Sequence, residues 1–172
     1  MPLDPAEAML RRLTTLVAIT LATVSCGSDG ADATDRDAGV YVAVIRALAP
    51  GEAGERTPGG TIDETDRVVY VGPLDDVQDI PLEVQAAVVD QLDELATVRF
   101  VDERAEAIDD DDEDAPVLED GVLVLVGPVP AGARPSVDAE RYVDAGDTAG
   151  LRVRLEPTDG AWEVVRVDTI GA

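Results

Sequence analysis

The stretch "GVLVLVGPV", Gly121 to Val129, carries no polar side chain at any position. A strand with one wet face alternates apolar and polar residues. A run that is apolar on both parities is a strand covered on two faces. Residues 121–129 therefore predict a central strand, and the rest of the chain must supply its neighbours and its covers.

A second run, "RVVYVGP" (67–73), is β-branched and aromatic and also ends in Val-Gly-Pro. It predicts another strand. The shared ending is common punctuation and not the mark of a duplicated unit. A helical pattern follows Pro81, and nothing after Val129 matches it. That pattern, "IPLEVQAAVVDQLDELA" (80–96), has Pro81 at a first helical position and Glu83 at the positive end. Leu82, Ala86, Val89, Leu92 and Ala96 read as its apolar stripe. "TVRFVD" (97–102) follows as a short strand with Val98 and Phe100 on one face.

The last third reads as a meander. "SVDAERYVDAG" predicts one strand. In "LRVRLE" (151–156), Leu151, Val153 and Leu155 share a face opposite Arg152, Arg154 and Glu156. "PTDG" (157–160) is a turn. "AWEVVRVD" returns with Trp162, Val164 and Val167 turned inward. Upstream, Val40, Tyr41, Val44, Ile45 and Leu48 fit one helical face, with Asp37 as N-cap and Pro50-Gly51 as the stop. The valines there also suit a strand, and helix is the reading adopted. Residues 51–66 are rich in Gly and acid and read as a loop.

Composition excludes much chemistry. The chain has 172 residues, no His, no Lys, one Cys and a formal net charge of −24. Without imidazole there is no Ser-His-Asp triad and no His-ligated zinc. Without Lys there is no Schiff base and no Walker A lysine. Catalysis would fall to carboxylates, Tyr, Ser, Thr or Arg, and no spacing singles out a pair among the 37 acids. No cofactor is expected. The charge repels nucleic acid, so no nucleic-acid partner is expected either. Either a GC-rich genome or a saline habitat accounts for such acidity without a binding role.

Three features are candidates for chemistry. "DDDDED" (109–114) offers oxygen ligands for a hard cation but fails the EF-hand pattern, with Asp114 where Gly belongs. It reads as a solvated loop. Asp144 and Asp147 flank Gly146 as a possible clamp on a cation or sugar hydroxyl, or as turn formers. Arg152, Arg154 and Arg166 form a possible anion site, or neutralise neighbouring acids.

The N-terminus speaks of place. Arg11 and Arg12 precede an uncharged run from Leu13 to Ser25. A bilayer-spanning helix needs roughly 20 residues, so this run is too short to span. A basic start, a short apolar run and small residues before a cut describe an export signal. Met9 as the true start would remove Asp4 and Glu7 from it. The run ends in "TVSC": Thr23, Val24, Ser25, Cys26. This resembles the lipobox of bacterial lipoproteins, over residues 9 to 30 only. The resemblance implies cleavage between Ser25 and Cys26 and a lipid on the Cys26 thiol. The protein is then anchored to the cell membrane on its extracytoplasmic face.

The sequence thus predicts a signal peptide (1–25), a flexible tether (26–36) and one acidic α+β domain (37–172). Two N-terminal helices precede a mainly antiparallel sheet that ends in a C-terminal meander. The expected function is a non-enzymatic binding or protein-interaction module, with an extracytoplasmic protein as a possible partner. The competing expectation is a carboxylate-based hydrolase acting on a substrate such as a glycan.

Overall fold

The structure, a computed structural model, describes residues 28–49, 68–75, 79–108 and 115–171. Ser25, Cys26 and the acidic run 109–114 lie outside them. The described elements are α1 (Ser28–Leu48), β1 (Val68–Pro73), α2 (Leu82–Leu92), β2 (Thr97–Phe100), β3 (Val122–Val126), β4 (Ser136–Asp144), β5 (Asp147–Thr158) and β6 (Ala161–Thr169). The six strands form one sheet in the order β2-β1-β3-β4-β5-β6.

The fold is α+β, with two departures from expectation. The sheet is mixed: β1 pairs parallel with both β2 and β3, and only β3 onward is antiparallel. The helices are also not both N-terminal, because α2 links β1 to β2. Two adjacent strands joined by a helix run parallel, since the helix returns the chain to the edge where it started. The meander expected at the C-terminus is present as β4, β5 and β6. Asp159 and Gly160 turn β5 into β6 with φ of 50° and 86°. Asp-Gly is the pair that accepts φ > 0 at both positions of such a two-residue hairpin turn.

The central strand is β3, every residue of which is buried. Val122, Val124 and Val126 face the layer of α1 and α2, together with Val69, Val71, Val153 and Leu155. Leu123 and Leu125 face the other way, onto Tyr70, Tyr142 and the segment between β2 and β3, which contributes Ala107, Ile108 and Val117. That segment is held by a bridge between Ile108 and Val117 and by the Tyr142 hydroxyl, which donates to the Ala115 carbonyl at 2.7 Å. Gly121 opens β3 because a Cβ there would stand 2.8 Å from the Val68 carbonyl oxygen.

Both helices differ in detail from their predicted forms. A coil tether was expected over 26–36, but the chain is helical from Ser28, and Asp37 lies inside α1. Ala33 is a strong helix former, and Asp32 sits near the positive end of the helix. In α2 the buried row is Val84, Val88 and Leu92, continued by Ile80 before it and Ala96 after it. This row, spaced by four, keeps Leu92 and Ala96 of the predicted stripe and puts Val84 and Val88 in place of Leu82, Ala86 and Val89. Leu82 and Val89 are exposed. The sequence offers two apolar rows on one helix, and packing against α1 and β2 selects the β-branched one.

In β6 the inward side chains are Trp162, Val164 and Val167, as predicted, although two residues separate 164 from 167. A register shift resolves the parity: Arg154 lies opposite Arg166 and Leu155 opposite Val164, so Val165 is the extra residue of a bulge.

Tyr41 on α1 is buried, and its hydroxyl has no hydrogen-bond partner among the described residues. Burial, with a smaller contribution from Asp37, pushes its pKa up to about 12. A folded pKa above the unfolded value of about 10 stabilises the fold at lower pH and is lost as pH rises through the folded value. Two units correspond to about 2.7 kcal/mol. Denaturant titrations at pH 9 and pH 12 should differ by about that amount in wild type, and by clearly less in Tyr41→Phe. At pH 7 the same variant should gain about 1 kcal/mol, since it removes an unsatisfied buried hydroxyl.

Candidate functional site

The parallel strands β1 and β2 end on the same edge of the sheet. The carboxyl ends of such strands are where open parallel sheets leave a crevice, because the chain must turn away there into the connecting helix. A cleft of about 650 Å³ opens at this edge. Pro73 from the end of β1, Ile80 before α2 and Phe100 from the end of β2 give it an apolar floor. Asp79, Asp102 and Glu103 stand on its rim, all exposed. Gln85, one turn into α2, donates from Nε2 to the Ile80 carbonyl at 2.8 Å and pins the approach to the helix.

Arg104 borders the cleft, but its guanidinium is committed elsewhere. It pairs with Glu140 and lies 4.1 Å from the centre of the Tyr142 ring. Among the described residues, no arginine is within ion-pair distance of Asp79, Asp102 or Glu103. No group of three or more Cys, Asp or Glu among the described residues is placed to hold a metal ion.

The residues singled out in the sequence sit elsewhere. Arg152, Arg154 and Arg166 do come together on the sheet face away from the helices, but acids take up their donors. Arg152 grips Asp138 with Nε and Nη2 at 2.6 and 2.8 Å. Arg166 reaches Asp168 at 2.6 Å, and Arg154 reaches the same carboxylate at 3.6 Å. The cross-strand neighbours Arg154 and Arg166 would repel, and Asp168 lies between them in charge. Further along this face Glu119 accepts from Arg99 and Tyr70. The hydrogen bond from Arg99 holds the Glu119 carboxyl below the usual range, and that from Arg152 does the same to Asp138.

Asp144 and Asp147 are not a clamp. Asp144 accepts from the backbone amides of Gly146 and Asp147 at 2.7 and 2.9 Å and so closes the β4–β5 turn. Asp147 turns inward and pairs with Arg141 at 2.6 Å. Arg141 is the one charged residue buried among the described residues.

The sequence did not point to the cleft. Its signal was the order strand (67–73), helix (80–96), strand (97–102). Read as a parallel unit, that order gathers Pro73, Asp79 and Phe100–Glu103 on one edge. Read as part of an antiparallel sheet, it scatters them. No protein-family model, curated protein or solved structure matches the chain.

Proposed function

We propose that this chain is an exported bacterial lipoprotein, anchored through a lipid on Cys26, whose acidic domain is a non-enzymatic binding module. The anchor rests on the leader, with Arg11, Arg12, the uncharged run and "TVSC". Two or more acyl chains hold a protein stably, since each buried CH₂ contributes about 0.8 kcal/mol. Only Gly27 then separates Cys26 from α1. From Ser28 onward the connection is helical, and Asp32 and Asp35 on it are solvated.

The observation that favours binding over hydrolysis is the placing of the acids. A carboxyl that keeps its proton at neutral pH does so by losing water. Every Asp and Glu among the described residues reaches solvent, and the shifted pair, Glu119 and Asp138, is held low by arginine. Low pKa values suit ion pairing, not proton donation.

Turnover separates the two readings. The mature protein, mixed with isolated cell-envelope glycan, should leave the count of reducing ends unchanged over many hours. Steady release of new reducing ends, abolished by substituting two particular acids, would replace the binding reading with carboxylate hydrolysis.

A further inference from the structure

We infer that a second cleft, along α1, is a ligand site of this module, and that it takes a carboxylate carried on a ring, either an aromatic acid or an acidic sugar. The inference rests on the binding-module reading and names a site and a ligand chemistry for it. The cleft has a volume of about 470 Å³, a size that holds a small molecule. Gly39, Val42, Ala43 and Arg46 lie along one side of α1, Gln91 of α2 flanks them, and Trp162 of β6 completes the lining. Two of these residues point to a ligand. The first is Arg46. The chain has 37 acids against 13 arginines, and every other described arginine has an acid within ion-pair distance. Arg46 has none among the described residues. It is exposed and makes one long hydrogen bond, from Nη2 to the Gln91 carbonyl at 3.4 Å. Its place in the last turn of α1 explains a positive charge there, through the helix dipole, but not the want of an acid. A guanidinium with open donors beside a cleft suits a carboxylate, which accepts two parallel hydrogen bonds from it.

The second is Trp162, the one tryptophan of the chain. A Cβ at Gly39 would stand 2.8 Å from its Cδ1, so the glycine lets the indole lie close on α1. Arg36 lies 5.8 Å from the centre of the ring and spends its donors on Asp37 and on the carbonyls of Pro130 and Gly132. It braces Trp162 and is not itself open to an anion. The half-buried indole gives the cleft a flat apolar wall beside Val42 and Ala43. Helical side chains lean toward the N-terminus, so Arg46, two turns beyond Gly39, leans toward that wall. A ring against the indole and a carboxylate on the guanidinium use both features at once. The net charge opposes any anion, but salt at about 0.15 M screens charges beyond roughly 8 Å. Asp32 and Asp35 are the acids that line the cleft. They stand about 16 Å or more from Arg46 along the axis of α1.

The single indole N–H gives one resonance that reports on the cleft. Glucuronate and benzoate would each be titrated into the full chain, in non-ionic detergent and about 0.15 M sodium chloride. At least one should shift that resonance and the amides of Gly39 and Arg46, and should saturate. Binding of glucuronate alone assigns the site to an acidic sugar, and binding of benzoate alone to an aromatic acid. Acetate, which lacks the ring, and the amides of the two acids, which lack the charge, should bind at least about tenfold more weakly. Arg46→Gln should weaken binding of the preferred acid about tenfold. Arg166→Gln makes the same change of charge on the sheet face away from the helices, and should bind within about twofold of wild type. Equal weakening in both variants would reduce the effect to net charge and overturn the inference. Acetate binding as tightly as the ring acids would overturn it too. A protein that binds neither acid, yet retains an envelope component without turning it over, would refute the ring carboxylate and leave the binding module standing.

Discussion

Raising sodium chloride from 0.01 to 1 M should raise the melting temperature of residues 26–172 by roughly 15 °C or more. Residues 26–172 hold the whole net charge of −24, since residues 1–25 carry two Arg against two acids. With 13 arginines against 37 acids, most carboxylates have no partner wherever the fold puts them. At 0.01 M the Debye length is about 30 Å, beyond the radius of gyration of about 15 Å expected for this length. Every charge then feels every other, and the compact state is opposed. At 1 M the length is about 3 Å, and only neighbours interact. The exposed pairs, such as Arg152 with Asp138, weaken over the same range. Each is worth at most about 1 kcal/mol, too little to reverse the trend. A flat or falling melting temperature would mean that the acids are spaced so that their repulsion is negligible.

Asp147→Ala should cost about 1–2 kcal/mol in denaturant unfolding at neutral pH, since it removes a charged hydrogen bond while Arg141 keeps a further contact. The parity of β4 turns Arg141 toward the helices, between Val124 of β3 and Ala149 of β5. Its side chain is 3% exposed, and that of Asp147 is 21% exposed. Removing the acid takes a partner from a guanidinium that has almost no access to water. Removing the charge as well ends that penalty. Arg141→Leu/Asp147→Ala should therefore be more stable than Asp147→Ala alone, since a buried pair often costs little to replace with apolar groups. A single-variant cost under about 0.5 kcal/mol would show that Arg141 is solvated in the folded state.

This pair also shows what could be read in advance. "SVDAERYVD" alternates, so Val137, Ala139, Arg141 and Val143 share a parity. The sequence already placed an arginine on the apolar face. Its partner was hidden because Asp147 lies beyond a turn, and turns follow backbone chemistry and not side-chain period. The central strand, the hairpin at Asp159-Gly160 and the inward residues of β5 were legible because each is a local pattern. Strand direction was not. Nothing in "TVRFVD" says that it pairs parallel to "RVVYVGP". That choice comes from the helix between them, and the cleft follows from it. The start of α1 was misread because "SDGADATD" is small and polar, a composition shared by linkers and by exposed first turns of helices. The buried row of α2 was misplaced because apolar residues occupy two of its faces.

The proposed lipid on Cys26, as the first residue left after cleavage, can be read from the mass of the N-terminal peptide. The membrane fraction of a bacterium expressing the full chain would be digested and its lipopeptides measured. The expected peptide begins at Cys26 and carries the added mass of diacylglycerol on its thiol. A peptide that runs through Ser25 into Cys26 with a free thiol would contradict it.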